Sequence, residues 1–232
     1  MAGMRDNKKA IREALTGEDW EKKIPEIAKM GKPAVSPLFS LLLLDPETKH
    51  RAAKALGETV DSLAKTDLEA AKNVIRRFMW HMNEESGNIG WGIPDAFAEC
   101  LVANAELAKT YASILRSYII DLGFDDNYCD HDILRRSCYW AIGRLAQARP
   151  ELAEPARPWL LKGLEDRDSV CRGMAAWALG QLKPELMDAP ALKKLAESGD
   201  RDECEYFDNA TLRRGTVSDL ARESLEKDLG MG

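Results

Sequence analysis

The chain has 232 residues, of which 45% are hydrophobic and 31% charged. It can therefore bury a substantial core, yet it holds no apolar run of the roughly 20 residues that would cross a bilayer. Its formal net charge is −6, with lysine and arginine interleaved among acids throughout, which argues against a protein that tracks a phosphate backbone. Five cysteines (Cys100, Cys129, Cys138, Cys171, Cys204) with no CxxC pair exclude a disulfide framework and a zinc ribbon.

Residues 1–9 are polar with no apolar core behind them, so no secretory signal is expected and the cytoplasm is the expected compartment. Residues 8–30 read as a capping helix pair. A helix is predicted over Lys32–Leu44, with Pro33 near its start and Asp45-Pro46 as the turn into a second helix that runs past Gly57. Asn73–Glu85 is the next first helix. After it comes a glycine-rich insertion, Trp80–Gly92, and then a helix from Ile93. Thr110–Leu122, the insertion Gly123–Asp132 and the helix Ile133–Leu145 follow. Then come Pro155–Leu164, Val170–Leu182, Ala191–Glu197, an interruption at Glu203–Thr211, and a final helix over 216–225.

Self-similarity organises these elements. Ile133-Leu-Arg-Arg-Ser-Cys-Tyr-Trp-Ala-Ile-Gly-Arg-Leu145 aligns without gaps on Val170-Cys-Arg-Gly-Met-Ala-Ala-Trp-Ala-Leu-Gly-Gln-Leu182, and each is followed by Pro-Glu-Leu, at Pro150 and Pro184. Asp45-Pro-Glu-Thr-Lys-His-Arg-Ala-Ala-Lys-Ala-Leu-Gly57 is a third copy, and Ile93–Leu101 a degenerate fourth with Ala98 at the glycine position. The marker positions 57, 98, 143 and 180 are 41, 45 and 37 residues apart, periods that suit helix-pair repeats. These segments resemble the short HEAT-like repeat of the phycobilisome-lyase type, roughly D-P-x-V-R-x-x-A-A-x-A-L-G. Lys49 stands where that repeat usually has arginine, and the second repeat lacks both the arginine and the glycine. The resemblance implies an all-α fold, an α-solenoid (superhelix) of about five HEAT-like helix pairs. It is a single domain over 1–232, with a cap at 1–30 and repeats at 31–60, 73–103, 110–149, 155–186 and 190–229.

The register separates two faces of each second helix. Counting from the marker, positions −5, −2 and −1 are apolar in every copy (Ala52, Ala55, Leu56; Ile93, Ala96, Phe97; Cys138, Ala141, Ile142; Ala175, Ala178, Leu179) and form the predicted buried side. The opposite row, at −7, −3 and +1, reads His50, Lys54, Glu58; Trp91, Asp95, Glu99; Arg136, Trp140, Arg144; and Gly173, Trp177, Gln181. Stacked second helices line one surface, usually the concave one. The candidate binding residues are therefore Trp91, Asp95, Glu99, Arg136, Trp140, Arg144, Trp177 and Gln181, with Trp140 and Trp177 roughly 10 Å apart on adjacent repeats. Each tryptophan either faces solvent as an anchor or tucks against its neighbouring repeat, and the sequence leaves both open.

No catalytic residue, metal site or cofactor is predicted. HExxH, GxSxG, GxxxxGK[ST] and GxGxxG are all absent. The run Tyr128-Cys129-Asp130-His131-Asp132 holds four potential ligand side chains, but adjacent residues cannot all converge on one ion. Asp130 or Asp132 is expected to cap the following helix. Glu203–Thr211 reads either as a contact loop or as a small turn closing the repeat stack. The expected function is a non-catalytic protein–protein interaction or scaffold module with a protein partner. Two rivals are set beside it: a chromophore or cofactor lyase or chaperone, with an exposed Cys129 as transient carrier, which the bilin-lyase resemblance implies; and a HEAT-like DNA-repair glycosylase, against which the acidic balance weighs.

Overall fold

A computed structural model describes residues 4–83, 90–124, 126–182 and 185–228. Part of the glycine-rich insertion (84–89), Asp125 and the second repeat-following proline, Pro184, lie outside the described residues. Contacts divide the chain into two compact units, residues 1–111 and 112–232.

The first unit opens with the predicted cap pair, α1 (Met4–Thr16) and α2 (Trp20–Lys29), followed by α3 (Lys32–Leu41) and α4 (Pro46–Thr66). Asp45 caps α4: its carboxylate accepts from the Thr48 backbone N–H at 3.0 Å, while Pro46 takes the first helical position, where its missing N–H leaves nothing unpaired. This is the physical content of the Asp-Pro turn. α5 (Leu68–Met82) and α6 (Ile93–Ala103) form the next pair, and α7 (Ala105–Ser117) carries the chain into the second unit. α4 packs against α2, α3, α5 and α6.

In the second unit, α8 (Asp132–Ala148) begins where predicted, but its cap is different. His131 Nδ1 accepts from the Leu134 N–H at 3.4 Å, because Asp132 is drawn into ion pairs with Arg135 and Arg167. The helix expected over 155–164 is shortened to α10 (Arg157–Gly163), preceded by α9 (Pro150–Ala153) and a 3₁₀ turn at Glu154–Ala156. Pro150, Pro155 and Pro158 each supply no N–H, so one continuous ladder is not available. α11 (Ser169–Leu182) and α12 (Ala189–Ala196) follow.

The described residues depart from all-helical structure at one place. Glu203–Asp208 (β1) and Thr211–Thr216 (β2) pair antiparallel, with Glu205 opposite Arg214 and Asp208 opposite Thr211. Asn209 makes the turn with φ 54°, a left-handed conformation that asparagine tolerates. Neither the contact-loop nor the small-turn expectation included a hairpin. The last helix, α13 (Val217–Asp228), is entered through a reciprocal cap: Thr216 Oγ1 accepts from the Asp219 N–H at 3.2 Å, and Asp219 accepts from the Thr216 N–H at 3.2 Å.

The buried register holds in all four copies: every residue at −5, −2 and −1 is buried. The marker itself is where neighbouring second helices approach. A Cβ on Gly57 would stand 2.8 Å from the Glu99 carbonyl oxygen of α6, one on Gly143 would run into the Trp177 ring of α11, and one on Gly180 would stand 2.5 Å from Ser224 Oγ of α13.

Candidate functional site: the second-helix face

Position −8, the arginine of the repeat motif, ties three of the second helices, α4, α8 and α11, to the segment that follows. Arg135 is 1% exposed and uses every donor direction of its guanidinium. Nε and Nη2 fork onto Asp166 at 2.8 Å each, Nη2 also reaches Asp132 at 2.8 Å, and Nη1 donates to the carbonyls of Cys129 (2.9 Å) and Asp130 (3.1 Å). Arg172 repeats the pattern, donating to the Asp166 carbonyl at 2.8 Å and to Asp200 at 2.5 Å. In the first unit Lys49 holds this position and reaches Asp95 Oδ1 at 3.0 Å; the buried Oδ2 of Asp95 has no hydrogen-bond partner.

The eight candidate binding residues fall into both units. Trp91, Asp95 and Glu99 belong to the first. Asp95 and Glu99 are buried, and Asp95 is engaged by Lys49. Trp91 is half-buried and lines a cleft of about 210 Å³ with Phe39, Leu43, Arg77 and His81. Arg136, Trp140, Arg144, Trp177 and Gln181 belong to the second unit. Arg136 forks onto Asp168 at 2.9 and 2.6 Å. Burial pushes the Asp168 carboxyl upward, but Arg136 and the Cys171 N–H outweigh it and hold the group down at about 2.

Trp140 and Trp177 are packed: they are 5% and 3% exposed, and their rings stack in parallel with centroids 6.4 Å apart instead of standing 10 Å apart. The separation shrinks because Gly143 leaves no Cβ between the helices and the Trp177 ring enters the gap. What covers the tryptophans is the hairpin. Trp140 Nε1–H donates to the Phe207 carbonyl at 2.8 Å, and the Tyr206 ring lies 5.3 Å from that of Trp177. Cys204 Sγ fills the space above Gly173, where a Cβ would stand 2.5 Å away. Asp208 accepts from Gln147 Nε2 at 2.8 Å. With the Gln181 amide turned to satisfy its neighbours, its oxygen accepts from Trp177 Nε1 at 3.1 Å and from Lys227 Nζ at 3.0 Å. Arg144 Nη1 donates to Gln147 Oε1 at 3.3 Å. Burial pushes the Tyr206 hydroxyl and the Cys204 thiol each up to about 12, so both stay protonated near neutral pH.

The five-residue run 128–132 does not converge. Cys129 Sγ turns to the His131 carbonyl, His131 to the Leu134 N–H and Asp132 to the two arginines. Among the described residues no three or more His, Cys, Asp or Glu side chains are grouped to hold a metal ion. Cys129, taken as exposed in the lyase reading, is buried at the foot of α8 beside Cys138. No helix among the described residues is long and apolar enough to cross a membrane.

The hairpin had a signal in the sequence. Glu203-Cys-Glu-Tyr alternates polar and apolar residues ahead of Asp208-Asn209, a turn pair, and Thr216-Val-Ser-Asp219 carries the spacing of a helix cap.

Comparison with known proteins agrees with this architecture. Residues 132–182 match the family model of the HEAT-like repeat. An uncharacterized protein of Archaeoglobus fulgidus is 27% identical over 187 residues, covering 78% of this chain and 90% of its own. Crystal structures of two engineered proteins superpose with TM-scores of 0.53 and 0.50, at 18% and 19% identity, each over 98% of this chain; 98% and 99% of the engineered chains are covered. At such identities the likeness is one of fold. Residues 132–182 are thus HEAT-like repeat, and the chain has an α-solenoid fold with, among the described residues, one hairpin inserted in its last pair.

Proposed function

We propose that the chain is a non-catalytic protein-interaction module that holds a partner polypeptide on the second-helix face of its second unit. Arg136, Trp140, Arg144, Trp177 and Gln181 supply that face. The observation that carries the reading is that these rows already accept an extended backbone. The Trp140 indole donates to a strand carbonyl, and Trp177 stacks against a strand tyrosine. Tryptophan and arginine are the residue types that concentrate binding energy at interfaces. Trp91, Asp95 and Glu99 are left out of the proposed face, because they belong to the first unit, where Asp95 is engaged by Lys49.

The test is a photoreactive amino acid placed at Arg144 or Gln181, both half-buried at the edge of the face, with a control at the exposed Lys9 on α1. Cross-linking in native lysate should yield a discrete protein adduct from 144 and 181 and none from 9. An adduct formed only at position 9 would place the partner elsewhere.

A further inference from the structure

We infer that the β1–β2 hairpin is a built-in competitor for this face. The partner it competes with is an extended segment presenting a small residue, an aromatic residue two positions on and an acidic residue two further. This rests on the reading of the second-helix face as the docking surface.

Helix and strand have matching periods along this face. Residues four apart on a helix rise about 6 Å. Residues two apart on a strand advance about 6.6 Å. Gly173 and Trp177 of the α11 row therefore offer two stations at nearly the spacing of alternate strand residues, and Gln147 of α8 supplies a third at the far end. β1 runs along it in that register: Cys204 over Gly173, Tyr206 on Trp177, and Asp208 at the far end bound through Gln147. The burial of β1 alternates accordingly, with Cys204 and Tyr206 buried and Glu203 and Glu205 exposed. Each station sets a chemistry. The first admits only a small side chain, because the Cys204 Sγ already fills the space that a Cβ on residue 173 would take. The second is an aromatic ledge. The third is an amide donor that suits a carboxylate. Trp140 reads the backbone alone, through a carbonyl, and so adds affinity without adding sequence preference.

Nothing in this row demands that the strand come from the same chain. A two-stranded hairpin is marginal in isolation, and this one holds the face through few anchors. Its base is tied separately, by Val217 N–H to the Asp202 carbonyl and Ser218 N–H to the Asp200 carbonyl, both 3.1 Å. The strap can lift from the tryptophans while α13 keeps its cap. A tethered segment of this kind competes at millimolar effective concentration, so the intact chain should bind a free segment more weakly by the closed-to-open ratio.

The experiment uses the full chain in three forms: intact; with residues 203–215 replaced by a Gly-Ser linker; and as the Tyr206→Ala/Asp208→Ala variant, which loosens the strap without altering the face. The last keeps the test alive if the replacement fails to fold. The probe is the blocked peptide Glu-Ala-Glu-Tyr-Phe-Asp, beside a control of the same composition with tyrosine and aspartate moved to the outward positions. Binding is read by tryptophan fluorescence and by the indole N–H resonances. The expected result is patterned-peptide binding to the opened forms, at least about ten-fold weaker binding to the intact chain, and no binding of the control. Equal binding of both peptides overturns the stated chemistry but leaves the face as a docking surface. Equal affinity for intact and opened chains overturns the competitor role. No binding to a folded, opened chain overturns both the inference and the reading beneath it. A concentration-dependent dimer of the intact chain, lost on replacing the hairpin, would assign the strand to a second copy and overturn the partner.

Discussion

The Lys49–Asp95 contact of the first unit and the Arg135–Asp166 contact of the second occupy the same register position and do different things. Arg135 spends five hydrogen bonds on two carboxylates and two loop carbonyls, so it orders the segment 129–132 as well as joining two repeats. Lys49 makes one contact, to a carboxylate carried on the next second helix itself, and leaves the other oxygen of Asp95 unpartnered. The difference follows the sequence around them. The second unit keeps a preceding turn with aspartates at 166 and 168. The first replaces that turn with the glycine-rich insertion, part of which (84–89) lies outside the described residues, and among the described residues Lys49 meets a carboxylate of α6 instead. A planar fork is needed where a loop must be fixed, and a point charge suffices where only two helices meet.

The largest effect that would break this contrast is expected from Arg135→Lys, which leaves Asp166 and two buried carbonyls short of donors. A loss of about 3–4 kcal/mol should appear in urea denaturation. Removing Lys49 by mutation to Met should cost about half as much, and equal losses would refute the contrast. Next come the markers. Gly143→Ala should cost about 2 kcal/mol and be partly relieved by Trp177→Leu, because the obstacle there is a side chain. Gly57→Ala should cost as much with no such relief, since a backbone carbonyl stands in the way.

Acid should then distinguish the units. Asp168 titrates at about 2 in the folded chain against an ordinary 3.8, so folding favours its ionised form. Its contribution, on the order of 2 kcal/mol, is complete above about pH 4 and is lost as pH falls toward 2. Asp168→Asn should flatten that part of the stability profile. The smallest effect sharpens the comparison from the other side. Lys49→Arg offers a second donor to the orphan oxygen of Asp95 and should stabilise the chain by about 1 kcal/mol. No gain in melting temperature would mean that the fork cannot reach.

Much of the architecture is legible in the sequence, because a repeat states its register several times over. Ala55, Ala96, Ala141 and Ala178 share a position, and all four are fully buried. The Asp45-Pro46 turn and the break at each pair followed from capping and proline chemistry. The sequence left open whether the row opposite the buried side on α8 and α11 is exposed, and its two tryptophans turn out to be packed. Helical period assigns a side chain to a face. It does not say what lies on that face, and Trp140 and Trp177 are covered by a segment more than 25 residues further along the chain. His131 took the cap from its aspartate neighbours for a similar reason: Arg135 and Arg167 claimed Asp132 first.

By itself, then, the sequence determined the helix pairs, their spacing, the buried side of each second helix and the kind of scaffold they build, since each of these depends on local periodicity and is restated by every copy. Tertiary structure alone decided that a strand lies over the tryptophans, that Gly143 brings their rings to 6.4 Å, and that position −8 is a fork in one unit and a point contact in the other. Those outcomes depend on pairs of residues distant in the chain. No period encodes such pairs, and only the packed fold makes them neighbours.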